Sequence, residues 1–181
     1  NSAYTLKDID LFKEMDQYQL QYIEQPLGEE DIVDHAVLQK EIETPVCLDE
    51  SVVSYEAAEA AIRLGSCKVI NIKSSRCGGV YEGKRIHDLC VAHVIPVWCG
   101  GMTELGIGRA QNVSFASLPG FTELAHDVAA ANRYFDEDIT SPMVDITDRC
   151  TIIVPDEDNG IRYEVDEKQI DKMEAGHWIF K

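Results

Sequence analysis

Short apolar runs alternate with amphipathic stretches over the first two thirds of the chain. The runs at 20–24, 45–49, 68–73 and 95–99 are too short for helices and rich in Val, Ile, Leu and Cys, which reads as buried strands. Between and after them, 31–42, 54–64, 80–93 and 106–116 repeat apolar residues at helical spacing. A further helix is predicted at 5–17, where Leu6, Ile9 and Phe12 share a face and Thr5 is placed to cap it. Gly65 follows the 54–64 helix as a stop, and Pro45 and Pro96 hold Thr44 and Ile95 extended at the strand entrances. Four strand–helix units in succession predict an α/β fold of parallel strands joined by right-handed crossovers.

The rhythm fails after Phe121. Residues 121–128 are expected to add a fifth strand and 129–135 a short helix. Residues 151–154 and 161–165 read as two β runs about an Asp-Asn-Gly turn at 158–160. The chain therefore divides into a repeating part, 1–135, and a C-terminal segment, 136–181. A closed parallel barrel needs eight strands, so about five of eight predict the C-terminal part of a (β/α)8-type, TIM-like barrel whose earlier units lie upstream. An incomplete barrel exposes sheet edges, and self-association follows as an expectation.

Each of three successive strands ends on an ionisable residue. Glu24, Asp49 and Lys73 stand 25 and 24 positions apart, about the length of one strand, one helix and two loops. Equal phase places all three side chains on one rim. Taken singly, Glu24 reads as a loop residue, Asp49 as a helix cap and Lys73 as a surface-seeking amine. Capping requires no fixed phase between strands, whereas a hard divalent cation requires oxygens that converge. Lysine at the end of a buried strand is costly unless it is paired or put to work in proton transfer. Stepping back once from Glu24 reaches the position before Asn1, where a further member of the ladder is expected. Gly78-Gly79 and Gly100-Gly101-Met102, after adjacent strands, let backbone approach a ligand in a partly apolar pocket.

Charge and composition narrow the remaining classes. A content of 45% apolar residues excludes a disordered chain, and a net charge of −17 disfavours nucleic acid and anionic membrane as partners. There is no leading signal segment and no apolar run of membrane-spanning length, so a cytoplasmic protein is expected. The six cysteines form no CxxC pair and are read as reduced thiols. The five histidines lack zinc spacing, and neither a phosphate-binding lysine loop nor a GxSxG elbow occurs. A metal-assisted enzyme, a Schiff-base barrel aldolase and a non-catalytic binding protein all remain compatible with the residues alone.

IEQP (23–26), LDES (48–51), KVINIK (68–73) followed by RCGG, IHDLC (86–90) and above all IPVWCGGMTELGIGRAQN (95–112) resemble the C-terminal barrel half of the enolase superfamily. Within it they are most similar to the o-succinylbenzoate synthase and N-acylamino acid racemase branch. The resemblance implies Mg²⁺, or another divalent cation, held by Glu24 and Asp49 with an upstream Asp. It further implies Lys73 as the acid/base lysine, and substrate contacts at Asn1, Gly100, Gly101 and Met102. The implied activities are dehydration to o-succinylbenzoate in menaquinone biosynthesis, or racemisation of N-acylamino acids, on a small carboxylate substrate. A homo-oligomer is implied for the full-length protein. A Lys-x-Lys strand and a capping domain against which the C-terminal segment would pack belong to the family and are not found in this sequence. Thr103 and Leu105 stand where the branch has Leu and Thr, and Ala125-His126 where it has Pro-Gly.

Overall fold

A computed structural model of the protein describes residues 1–154 and 163–176. The chain forms two compact units, Asn1–Gly100 with Leu118–His126, and Gly101–Ser117 with Asp127–Lys181.

The first unit carries the strand–helix repeat. Four strands, β1 (Ile23–Glu24), β2 (Val46–Leu48), β3 (Val69–Ile72) and β4 (Val97–Cys99), form one parallel sheet in sequential order. Ile23 pairs with Val46, Cys47 with Val69, and Ile70 with Val97. The helix expected at 5–17 is α1 (Ile9–Met15) flanked by 3-10 turns at Leu6–Asp8 and Asp16–Tyr18, whereas helices α2 (Ile32–Glu41), α3 (Tyr55–Leu64) and α4 (Val80–Ala92) lie within one residue of the stretches that periodicity marked out. Thr5 caps a short 3-10 turn ahead of α1, with Asp8 returning the bond in a capping box. Ser54 caps α3, which stops at Gly65 in the left-handed conformation, φ 73°. Leu38, Leu48, Ile70, Ile72 and Ile86 are all 0% exposed. Each such side chain contributes roughly 1.5–3 kcal/mol by leaving water.

The second unit contains α5 (Gly106–Ala116), the antiparallel pair β5 (Thr140–Ser141) and β6 (Glu164–Val165), and α6 (Glu167–Met173). Its core gathers Ala110, Val113 and Val144, with Val128, Ile152 and Tyr163 packed against them. Asp166 caps α6 by accepting the Lys168 and Gln169 N–H groups.

Three expectations are corrected. Residues 121–128 add no fifth strand; Asp127 alone among them makes an isolated bridge. The N–H of Cys99, which a further strand would receive on a carbonyl, is taken instead by the His126 ring at Nδ1, 3.0 Å away. Residues 151–154 are not a strand either: Ile152 is held by packing against Val113 and its neighbours, and the Thr151 carbonyl turns back to accept the Thr147 N–H. The β6 residues pair with β5 rather than across a hairpin from 151–154. The turn anticipated at 158–160 lies outside the described residues, as does the rest of 155–162. The short helix expected at 129–135 is a single 3-10 turn at Ala131–Arg133. No helix among the described residues is long and apolar enough to cross a membrane.

Candidate active site at the strand ends

The ends of β1, β2 and β3 bring the ladder residues together. Asp49 follows β2 with its side chain fully buried, and Lys73 follows β3 and places its Nζ 2.8 Å from Asp49 Oδ2. Alternation along β3 sets Asn71 and Lys73 on one face while Ile70 and Ile72 fill the other. Asn71 Nδ2 donates to Glu24 Oε1 at 2.9 Å. Glu24 is thereby joined through Asn71 to the strand that presents Lys73. The second oxygen of Asp49 accepts from Arg76 Nη1, so a buried carboxylate is compensated by two cations.

A buried amide fixes this arrangement. Gln25, fully buried and with φ 37°, turns the chain sharply after Glu24. Its Oε1 accepts the Asp49 N–H at 2.9 Å and the Ser51 N–H at 3.3 Å, and its Nε2 donates to Ser51 Oγ at 2.8 Å. The end of β1 is thus stitched to the end of β2 by one side chain. Asn1 Nδ2 donates to Glu50 Oε1 at 2.9 Å, which brings it next to Asp49 along the chain. Gly100 lies directly over the β3 residues: a Cβ there would come within 2.7 Å of both Asn71 Nδ2 and Lys73 Cε. Gly101 and Met102 belong to the second unit, where the Gly101 N–H donates to the Asp127 carbonyl at 2.7 Å and the Met102 N–H to the Glu104 carboxylate. Sequence reading passed over Gln25, Asn71 and Arg76 as functional supports. The signal available for each was its place inside or next to the motif that carries a ladder residue.

Burial raises the Glu24 carboxyl above its ordinary value; the Asn71 hydrogen bond opposes that rise and the nearby charge of Asp49 adds to it. Glu24 and Asp49 fit a hard divalent cation. Both are anionic oxygen donors on adjacent strand ends, Asp49 keeps further lone pairs beyond those given to Lys73 and Arg76, and Asn71 Oδ1 is a buried acceptor lacking a hydrogen-bond donor. They supply two ligands, and among the described residues no group of three Asp, Glu, His or Cys side chains could hold a metal. Thiol chemistry is disfavoured nearby. Burial pushes the Cys47 thiol well above its ordinary value and those of Cys67 and Cys90 to about 12.

Comparison with known proteins identifies the family. A family model described as enolase C-terminal domain-like matches residues 1–169. An o-succinylbenzoate synthase of Bacillus subtilis (strain 168) is 58% identical over 146 residues, covering 81% of this chain and 39% of that protein. An N-succinylamino acid racemase of Amycolatopsis sp is 54% identical over 144 residues, covering 80% of this chain and 39% of the relative. A crystal structure of an enolase superfamily member from Listeria innocua Clip11262 superposes with a TM-score of 0.89 at 44% identity, over 95% of this chain and 46% of that one. The chain thus spans about two fifths of the length of these curated relatives.

Proposed function

The chain belongs to the enolase C-terminal domain-like family, and from that premise we propose that it supplies the strand-end half of a magnesium-dependent active site. The proposed activity of the full-length protein is o-succinylbenzoate synthase, N-acylamino acid racemase, or both. The observation that carries this reading is the Lys73–Asp49 pair at 2.8 Å, with Glu24 tied to the same strand through Asn71. Lysine bases beside one or two magnesium ions are general in enolase-superfamily sites.

Glu24 and Asp49 would hold the cation together with oxygens from elsewhere. Bound there, the cation supplies positive charge beside the substrate carboxylate and lowers the cost of negative charge developing on it. Lys73 works on one face of the substrate. As a free amine its Nζ accepts the α-proton, and as an ammonium it returns that proton or stabilises negative charge. Racemisation needs a second base on the opposite face, a role that falls to the family's Lys-x-Lys pair. In the synthase reaction a lysine of the Lys-x-Lys pair would take the α-proton and return it to the departing hydroxide, so that one water leaves, while Lys73 stays protonated as the stabilising cation. Asp49 and Arg76 orient Lys73 in both cases, because the Asp49 carboxylate that faces Nζ is itself fixed by Arg76 on its other oxygen.

The test is Lys73→Ala in the full-length enzyme, assayed for both reactions. Each is expected to fall by far more than tenfold, and a loss of less than about tenfold, roughly 1.4 kcal/mol, in both would remove Lys73 from the chemistry. Treatment with EDTA followed by Mg²⁺ return should abolish and restore turnover. A borohydride-trappable adduct insensitive to EDTA would favour a Schiff-base mechanism instead.

A further inference from the structure

The stretch 95–112, which carries the strongest resemblance to the branch, places Gly101, Glu104, Gly108, Arg109 and Asn112 within a dozen positions. In the second unit these residues form one construction, with Glu104 at its centre. Both carboxylate oxygens of Glu104 accept the Met102 N–H, at 2.9 and 2.8 Å, and Oε1 also accepts Asn112 Nδ2 at 2.9 Å. Its carbonyl accepts Arg109 Nη2 at 2.6 Å, and the same guanidinium, 1% exposed, donates through Nη1 to the Ala129 carbonyl at 2.5 Å. The two glycines leave room for it. A Cβ on Gly108 would stand 3.0 Å from Glu104 Cβ, and one on Gly101 would stand 2.6 Å from the Asp127 carbonyl oxygen.

An acid just ahead of a helix ordinarily serves as its cap. Glu104 does not serve α5 in that way: the Gly106 N–H is taken by Asp138 Oδ1 at 2.7 Å, which leaves the Glu104 carboxylate turned back onto its own loop. A carboxylate that receives a backbone N–H and a side-chain amide, on a residue whose carbonyl is clasped by a buried arginine, holds the loop backbone in a single conformation.

We propose that Glu104 is a positioning residue that fixes the Gly101–Met102 backbone for substrate binding, with Arg109 and Asn112 as its supports. This rests on the reading of Gly101 and Met102 as substrate contacts, and it adds that substrate affinity depends on an acid that itself touches neither substrate nor metal. Loss of the carboxylate removes the acceptor that Glu104 gives the Met102 N–H and loosens the loop, which weakens binding before it slows the chemical step.

The experiment compares wild-type, Glu104→Ala and Glu104→Gln full-length enzymes by steady-state kinetics and by hydrogen exchange at the Met102 amide. For Glu104→Ala we expect KM to rise about tenfold with kcat within about threefold, and Met102 exchange to quicken by about tenfold or more. Glu104→Gln keeps an acceptor for that N–H and should restore both to within about threefold of wild type. Asn112→Ala, a milder change should Glu104→Ala not fold, is expected to shift KM and exchange in the same direction by about two- to threefold. An unchanged KM, a kcat loss at constant KM, or unaltered Met102 exchange in these variants overturns the proposal. Wild-type enzyme inactive on both substrates would instead overturn the functional reading, and the exchange measurement would still decide the role of Glu104 in the loop.

Discussion

A methyl group added at Gly100 tests the site geometry directly. The Cβ of Gly100→Ala would stand 2.7 Å from Lys73 Cε and from Asn71 Nδ2, and closer still to Asn71 Oδ1. Ordinary contact begins near 3.4 Å, so these groups must retreat by about 0.7 Å or more. Asn71 has no cheap way to do so: it is 1% exposed and its Nδ2 is committed to Glu24. Lys73 moves more easily, but its movement draws Nζ away from Asp49. Overpacking of this kind costs roughly 1–3 kcal/mol of stability. Misplacement of a reacting group by about 1 Å can cost on the order of a hundredfold in rate, so a shift of this size predicts a loss of roughly ten- to a hundredfold in turnover. The measurement pairs steady-state turnover of full-length Gly100→Ala with its thermal melting. Gly28→Ala is the control, because a Cβ there meets only Asp31 Cβ at an ordinary 3.7 Å. If Gly100→Ala keeps turnover within about threefold of wild type while Gly28→Ala behaves the same, Lys73 does not sit where its proposed chemistry requires.

Gln25→Leu leaves the buried Asp49 and Ser51 N–H groups without their acceptor, and should destabilise the protein by roughly 2–4 kcal/mol in urea titration and lower turnover as Asp49 loses its anchor. A destabilisation under about 0.5 kcal/mol would show that the stitch between β1 and β2 contributes little. His35 gives the pH dependence: fully buried, it accepts the Leu27 N–H on Nε2 and bonds the Asp31 carbonyl through Nδ1, and burial lowers its pKa below the ordinary 6.5. A histidine lowered in the folded state leaves the unfolded chain binding more protons, so its contribution is complete above about 6.5 and declines as pH falls toward the folded value. The urea midpoint should therefore drop between neutral and mildly acid pH, and His35→Gln should flatten part of that drop; His126, lowered by burial in the same direction, accounts for a further share. An identical slope in wild type and His35→Gln would refute this.

The repeating part of the fold was legible because its signals are local and redundant. Ser54 and Gly65 bracket α3 chemically, Pro45 and Pro96 fix strand entrances, and the runs 45–49, 68–73 and 95–99 are continuous apolar stretches of strand length. The constant phase of Glu24, Asp49 and Lys73 carried the site, since strands repeating in one sense deliver equivalent positions to one rim. Beyond Phe121 the same reasoning failed for a physical reason. Residues 121–128 and 151–154 carry apolar side chains, but the place a further strand would take beside Cys99 is filled by the His126 ring and the Thr151 carbonyl accepts the Thr147 N–H, while Phe121 is buried and Val128 and Ile152 are partly covered by packing. Periodicity reports burial and is silent on which group takes each hydrogen bond. Helix α6 escaped notice although Asp166 with Ile170 and Met173 carried a cap and a weak apolar stripe.

The supports of the site were the least visible because they are amides whose roles exist only between strands. A two-residue β1 and a three-residue β2 offer too few ladder bonds to hold register alone, and a slip of one residue would turn Glu24 or Asp49 away from the rim. Buried amides supply the missing constraint. Gln39 accepts the Val46 N–H at 2.7 Å and donates to the Thr44 carbonyl at 3.3 Å, which fixes the entrance of β2. Gln25 fixes its exit through Asp49, and Asn71 ties β3 back to Glu24 on β1. Gln25 and Gln39 each act as donor and acceptor, and Asn71 donates across to Glu24, so each amide satisfies groups on a segment other than its own and is costly to replace by a hydrocarbon of the same shape. The strands determine which residues reach the rim, and the amides determine how accurately those residues stay there. Short strands can therefore present a carboxylate, an amine and a guanidinium in mutual contact, since accuracy at the rim comes from side-chain hydrogen bonds at the strand ends, with little demand on sheet length.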